Sequence, residues 1–383
     1  ASPALAESHI YVVTTDGVLY CLDAQTLKPV WQRVLGDLSS GSSAAFLSSP
    51  TVAHGQVYVG TPGDGLLSVG QPTDPPSLVW SGFHGGSGGN GRADEAPIPS
   101  HPRAVDIFGN SEADGPVTAP LAIQQKAVLA PMIIYRHSGL AAWPRKAAPS
   151  TEPLWFVRTD LPIRRSPVAD TQSAFFTTGR AGEAGREVRA VSIQDGRILW
   201  SRALGPSTSG RLVLGTGLLL VCDEELLALD PASGEVRWSW DRDVVTGVPA
   251  VRHHRVAIAA AERLFLLDDC TGRPLWSVPL PAAAARGPVF CASSIVVPTA
   301  EGIVAMDEVG ASLLWKEECE DEIAGPLIVA GMRVLVRTVG GTLRALDPQS
   351  GKTLREIRGV RDHPLVGRRS VVVPGRRGFH RFS

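Results

Sequence analysis

The sequence predicts an all-β fold in which a four-stranded unit recurs eight times and a shorter, three-stranded copy follows, and three observations carry that prediction. Trp200, Trp238, Trp276 and Trp315 fall 38, 38 and 39 residues apart, and Arg355 holds the next place 40 residues on. Nine short openings (SPAL, SPTV, APLA, SPVA, RLVL, VPAV, GPVF, GPLI and HPLV) keep phase with them, and eight contain proline: Pro3, Pro50, Pro120, Pro167, Pro249, Pro288, Pro326 and Pro364. The 383 residues include 40 Gly and 30 Pro with only 20% charged. Such a composition suits many short strands joined by turns rather than long helices.

A proline cannot donate to a strand ladder, so it belongs at the start or the edge of a strand, and each opening marks a first strand. Two apolar runs, a tight turn and a run carrying the tryptophan come next. The sixth unit shows the order as VPAV (248–251), RVAIAAA (255–261), RLFLLD (263–268), DCTG (269–272) and RPLWSV (273–278). Asp23, Asp230, Asp268, Asp307 and Asp347 each stand eight residues before the position of Trp31, Trp238, Trp276, Trp315 or Arg355, and Ser192 does the same before Trp200. A carboxylate or hydroxyl there accepts the N–H groups of the turn, while Gly196, Gly234, Gly272 and Gly351, four residues later, supply positive φ. Trp31, Trp80, Trp155, Trp200, Trp238, Trp276 and Trp315 are therefore expected on outer strands. There each ring covers the neighbouring unit and its indole N–H reaches a turn carbonyl. One indole per repeat does not converge into a ligand box.

Strands this short cannot bury both faces alone, so the sheets stack radially into a propeller or in line as a solenoid. The last piece, HPLVGRRSVVVPGRRGFHRF (363–382), supplies three strands and no tryptophan strand, which suits a ring that closes on itself. The expectation is one β-propeller domain over residues 1–383, with four-stranded blades numbering eight or nine. Between units two and three, residues 81–115 form a Gly-, Ser- and Pro-rich insertion that predicts a long loop with no core of its own. Loops of this kind often carry binding.

The formal net charge of −1 points to neither nucleic acid nor a membrane surface, and no apolar run approaches the ~20 residues that span a bilayer. The opening ASPALAESHIYVV, without initiator Met or signal-like regions, looks like a trimmed start, which leaves open a removed signal peptide or a missing upstream domain. Cys21, Cys222, Cys270, Cys291 and Cys319 are odd in number with no CxxC, so neither a disulfide framework nor a zinc site is signalled. No GxSxG, no matched Cys and His and no paired carboxylates mark a catalytic centre. His253 and His254 read as an exposed turn pair, and His84 and His101 lack a third metal ligand at a defined spacing. Charge is concentrated in EECEDE (317–322) and in Arg355, Arg358, Arg361, Arg368, Arg369, Arg376, Arg377 and Arg381. Such blocks steer a charged partner or keep strand edges from pairing. Arg368, Arg369, Arg376 and Arg377, with His84 and His101 of the insertion, are the candidate partner-binding residues.

The unit SPTVAHGQVYVG, the LDxxTGxxxW-like turn and the ~38-residue period together resemble the pyrroloquinoline-quinone-like propeller repeat family. The family includes quinoprotein alcohol dehydrogenases, the propeller lipoprotein of the outer-membrane β-barrel assembly machinery, and propellers fused to kinases or acyl-adenylating enzymes. Its quinone enzymes use an adjacent Cys-Cys pair and a carboxylate-rich calcium site, and this chain has neither vicinal cysteines nor acidic residues on its Pro-led strands. The resemblance therefore implies no cofactor and a non-catalytic scaffold that binds a protein through rim loops, in envelope or multiprotein assembly. The alternative it leaves is a quinoprotein-like enzyme or a ligand-sensing module of a larger polypeptide. It also favours an extracytoplasmic compartment, whereas the odd free cysteines suit the cytoplasm.

Overall fold

In the computed structural model every regular element among the described residues is a β-strand. The structure describes residues 4–6, 9–14, 17–23, 28–35, 50–53, 56–60, 66–70, 92–93, 105–108, 114–117, 122–123, 127–134, 136–144, 153–179, 183–205, 210–215, 217–222, 225–319, 321–330, 333–358, 365–366, 371–375 and 378–382. They fall into two compact units, one of residues 1–206, 365–370 and 383, the other of residues 207–364 and 371–382.

The first unit holds four sheets. Sheet one is Ala4–Ala6, His9–Val13, Val18–Asp23 and Pro29–Val34; sheet two is Thr51–Ala53, Gln56–Gly60, Leu66–Gly70 and Val105–Phe108. Sheet three has Ala122–Ile123, Ala127–Ile134, His137–Pro144 and Trp155–Arg158, with Asp114–Val117 also on its second strand. Sheet four is Val168–Ala169, Ser173–Thr177, Glu187–Ser192 and Ile198–Ala203. Within each sheet these strands run antiparallel in chain order, so each is a meander.

The second unit repeats the pattern. Sheet five is Arg211–Gly215, Leu218–Cys222, Leu226–Leu229 and Val236–Trp240; sheet six is Ala250–Arg252, Arg255–Ala260, Arg263–Asp268 and Pro274–Pro279. Sheet seven is Val289–Cys291, Ser294–Thr299, Gly302–Asp307 and Leu313–Glu318; sheet eight is Ile328–Ala330, Arg333–Arg337, Thr342–Leu346 and Thr353–Arg358. A hairpin of Val371–Gly375 and Gly378–Phe382 follows.

Sheet two departs from the spacing of the tryptophans. Its fourth strand is Val105–Phe108, paired as Leu66↔Phe108 and Val69↔Val105. The long connection thus lies between the third and fourth strands of sheet two, not between units two and three as the spacing suggests. The VDIF run at 105–108 completes the sheet, where the spacing assigned that place to Trp80, which lies outside the described residues. Within the connection, Arg92–Ala93 adds in parallel to the free edge of sheet one, opposite Leu5 and Ala6.

Alternation along the strands explains the core. On the second strand of sheet six, Val256 and Ile258 join Leu220, Ala228 and Trp238 of sheet five, while Ala257 and Ala259 join Val297, Val304 and Met306 of sheet seven. A strand sandwiched this way is apolar on both faces, so it reads as a continuous hydrophobic run rather than an alternating one. Outer strands cover one face only: Leu275, Leu314 and Leu354, each one residue before the tryptophan position, are exposed.

The joint between sheets is an indole on a turn. The Nε1–H groups of Trp155, Trp238, Trp276 and Trp315 donate to the backbone carbonyls of Ile193, Asp269, Glu308 and Pro348 at 2.9, 2.7, 3.0 and 2.8 Å. The accepting residue always follows the turn Ser or Asp. At Gly351 (φ 71°) a Cβ would come within 2.6 Å of the Trp315 ring, so the backbone conformation and the ring both exclude a side chain. Sheet seven breaks the rule. Its glycine is displaced to Gly310, the positive φ of 53° falls on Ala311, and Trp276 is only half-buried where Trp155, Trp238 and Trp315 are buried.

The turn carboxylates do what their position demands. Asp230 accepts from the N–H groups of Ala232 and Ser233 at 2.8 and 3.0 Å, and Asp347 from those of Gln349 and Ser350 at 3.1 and 2.8 Å. These bonds hold the carboxyls below the ordinary aspartate range. The Arg237 side chain is the largest cause at Asp230, the Thr271 hydroxyl at Asp268 and the Ser350 N–H at Asp347.

Ala311→Gly should raise stability by about 1 kcal/mol by relieving the left-handed alanine, and Gly351→Ala should lower it by at least as much, both read from urea unfolding midpoints. Depressed carboxyl pKa values contribute stability above the unfolded aspartate range, which is lost as pH falls through the lower folded values. The Asp230→Asn, Asp268→Asn and Asp347→Asn triple variant should therefore show a flatter loss of thermal midpoint between about pH 5 and pH 2 than the parent chain.

Candidate partner-binding surface

His84, His101, Arg368, Arg369, Arg376 and Arg377 lie outside the described residues. The acidic run is described, and its own unit largely absorbs it. Glu317 pairs with Arg344 at 3.8 Å, Glu318 with Lys316 at 3.8 Å and Glu322 with Arg286 at 3.6 Å. Asp321 accepts the Gly340 N–H, which is the main cause of its lowered pKa, and Arg344 also binds Glu356 at 3.1 Å. Glu318 and Glu322 nevertheless stay 83% and 71% exposed, so both still present charge to solvent.

In the second unit, the connections that lead from one sheet to the next run along the end where second strands turn into third strands. Isolated bridges Val245↔Ala260, Ala284↔Thr299 and Ile323↔Thr338 tie them there. This end carries exposed Asp241, Asp243, Glu262, Glu301, Glu318, Asp321 and Glu322. Val244 and Val339 stand among them, each more than 60% exposed. Arg242 and Arg263 at the same end lie against rings: Arg242 is 5.4 Å from the Trp240 centroid and Arg263 6.0 Å from that of Phe265, and these two rings meet edge to face at 4.7 Å. The exposed acids thus stand beside Arg242 and Arg263, which keep their charge against the rings, and two apolar side chains lie among them.

The opposite end holds the Arg252-His253-His254-Arg255 turn. Both histidines have positive φ, 46° and 61°, as a two-residue hairpin turn requires. Arg252 and Arg255 converge on buried Glu308, the latter at 3.0 Å, and Arg252 lies 4.6 Å from the Phe290 ring centroid. His254 Nδ1 is 3.2 Å from Asp269 Oδ2. The basic turn is thus neutralised by two carboxylates and works as a clamp between sheets six and seven. Sequence reasoning missed Glu308, because a glutamate beside a turn aspartate looks like any solvated acid; only its place one residue after Asp307 marks it. It also missed Thr299 and Thr338, whose hydroxyls bond the chain across the turn from second to third strand.

Of the other predicted residues, Trp31 lies on the fourth strand of sheet one, 6.1 Å from the Tyr11 ring, and Trp200 on that of sheet four, 6.0 Å from Phe175. The five cysteines are unbridged. Burial pushes the thiols of Cys21 and Cys291 up to about 12 and about 11, and exposed Cys270 is raised by its hydrogen bond to Asp269, so none of the three is a ready nucleophile. Among the described residues, no group of three or more His, Cys, Asp or Glu could hold a metal, and no helix is long and apolar enough to cross a membrane. The first strands read ALA, TVA, AI, VA, RLVLG, AVR, VFC and IVA. They offer no carboxylate, so the residues present do not fit a quinone–calcium group.

A sequence profile of the family described as outer membrane protein assembly factor BamB matches residues 1–130, 184–289 and 260–376. No curated protein sequence matches the chain. Among solved structures, BamB from Moraxella catarrhalis is similar over 99% of this chain and 92% of its own, at 12% identity and a TM-score of 0.55. A quinohemoprotein alcohol dehydrogenase, ADHIIG from Pseudomonas putida HK5, is similar over 98% of this chain and 70% of its own, at 11% identity and a TM-score of 0.56. The computationally designed Ika8 protein is similar over 90% of this chain and 97% of its own, at 13% identity and a TM-score of 0.58. At these identities the structural likeness shows the fold alone, an all-β propeller of four-stranded antiparallel sheets, while the profile spans most of the sequence. The chain belongs to the BamB family of propellers built from pyrroloquinoline-quinone-like repeats.

Proposed function

We propose that this chain is a non-catalytic propeller scaffold that binds a protein partner through its rim loops and serves envelope or multiprotein assembly. The observation that carries the proposal is the rim of the second unit, where exposed Asp241, Asp243 and Glu262 share one end with exposed Val244, alongside Arg242 and Arg263. Acidic loops around apolar side chains on a rigid scaffold suit a basic partner surface, with charge governing encounter and the valines adding buried area. Membership of the BamB family supports an assembly role, and first strands without carboxylates weigh against the quinoprotein alternative. Arg368, Arg369, Arg376 and Arg377, with His84 and His101, are proposed as a second partner-binding set.

Partners retained from native extract by the purified chain should be compared with those retained by two variants. In one, Asp241, Asp243 and Glu262 are changed to Lys; in the other, the four arginines are changed to Ser. Circular dichroism should be unchanged in both. At least one variant is expected to lose a specific partner about tenfold, with the loss masked at high salt. Retention of every partner by both variants would remove both surfaces.

A further inference from the structure

We propose that the outer edge of Leu313–Glu318, the fourth strand of sheet seven, accepts an extended segment of a partner protein as a fifth, antiparallel strand. The segment carries a basic residue opposite Glu318 and apolar residues opposite Leu313 and Leu314. The inference rests on the scaffold reading and specifies one mode by which a partner is held. The Cys319 N–H donates to the Glu301 carbonyl at 3.1 Å, and the same ladder continues as Gly302↔Glu318, Ile303↔Glu317, Val304↔Lys316 and Ala305↔Trp315. Bonded and non-bonded pairs alternate along an antiparallel ladder, so Trp315 and Glu317 turn their N–H and C=O groups onto the third strand. Lys316 and Glu318 turn theirs outward. Among the described residues no strand takes them up. Unpaired backbone groups along an edge are a template for a further strand.

Sheet six shows how the same architecture closes this edge. There the Leu280 N–H donates to the Glu262 carbonyl at 2.7 Å and the next pairs are Arg263↔Pro279 and Phe265↔Ser277, so Ser277 and Pro279 hold the outward positions. Pro279 has no N–H to offer. Glu318 takes the corresponding place in sheet seven, three residues after the tryptophan, and keeps its donor. The edge also begins apolar. Five residues after the turn aspartate stand Glu235, Arg273 and Lys352 in sheets five, six and eight, but Ser312 in sheet seven. Around Ser312, Val309, Leu313 and Leu314 are 78%, 51% and 42% exposed. Trp276, whose indole reaches the Glu308 carbonyl beside Val309, is itself only half-buried. At the far end of the strand Glu318 is 83% exposed, and Lys316 lies 2.9 Å from Glu301 and 3.8 Å from Glu318, which leaves net negative charge there. Opposite charges across a strand pair stabilise it, so a cation first and apolar residues four and five places later fit this edge along an antiparallel segment.

The test uses the full chain and a synthetic hexapeptide, RTTALV, whose residues face Glu318 back to Leu313 in turn, with alanine opposite Trp315. Fluorescence anisotropy should show saturable binding, and hydrogen exchange should slow at least tenfold at the amides of Lys316 and Glu318, with little change at Trp315 and Glu317. The peptide ETTALV should bind at least tenfold more weakly, and Glu318→Lys should reverse that preference. Glu318→Gln should make the two peptides equal. Glu318→Pro copies the proline of sheet six, and it should abolish binding of both while circular dichroism is unchanged. Absence of binding to the parent chain, protection confined to other strands, or undiminished binding to Glu318→Pro would each overturn the proposal. Lys316 and Glu318 amides already protected in the free monomer, or protected by concentration-dependent self-association, would do so as well. If rim variants leave every partner bound while the peptide still protects this edge, the rim reading fails and the edge stands. If rim variants lose a partner and the edge stays unprotected, the reverse holds.

Discussion

The fold depends on one recurring joint, an indole N–H held by the carbonyl that follows a turn aspartate or serine, with the ring over the glycine of that turn. Sheets whose second strands are apolar on both faces are unstable alone and need a neighbour on each side. The joint fixes how that neighbour is held at its outer edge, and each part of it has a physical reason. In sheets five and seven the alanine opposite the indole leaves room for the ring and the register shift beside it turns the strand, while the bare glycine lets the ring close on the backbone. Where Ala311 replaces the glycine, Trp276 is less buried, and the same joint gains a clamp. The Glu308 carbonyl takes the indole while its side chain takes Arg252 and Arg255 from the adjacent sheet.

Features with a short, fixed period were legible in the sequence, because each repeat poses the same local problem and answers it with the same residues. RVAIAAA and RLFLLD at 255–261 and 263–268 became strands Arg255–Ala260 and Arg263–Asp268 almost residue for residue. Pairings that depend on distant segments were not legible. Nothing in the spacing marks Val105–Phe108 as the strand that completes sheet two, or Arg92–Ala93 as an addition to sheet one, because register across a long connection is set by the edge that is available. The acidic run was legible as charge but not as ion pairs, since Arg286 and Arg344 come from other parts of the unit.

The two ends of the second unit use charge differently. At the end of the first-to-second and third-to-fourth turns, arginine, histidine and carboxylate satisfy one another and brace the sheets. At the rim, arginines lie over Trp240 and Phe265 and the acids face solvent. That separation makes the rim the more adaptable surface, since charge can change there without breaking a joint.

The most direct measurement is the equilibrium unfolding free energy of Trp315→Phe and Trp315→Ala beside the parent chain. Losing the hydrogen bond alone should cost about 1 kcal/mol, and losing the ring as well about 3 to 5 kcal/mol. Two variants as stable as the parent would contradict the account, since the sheets would then be held without the indole.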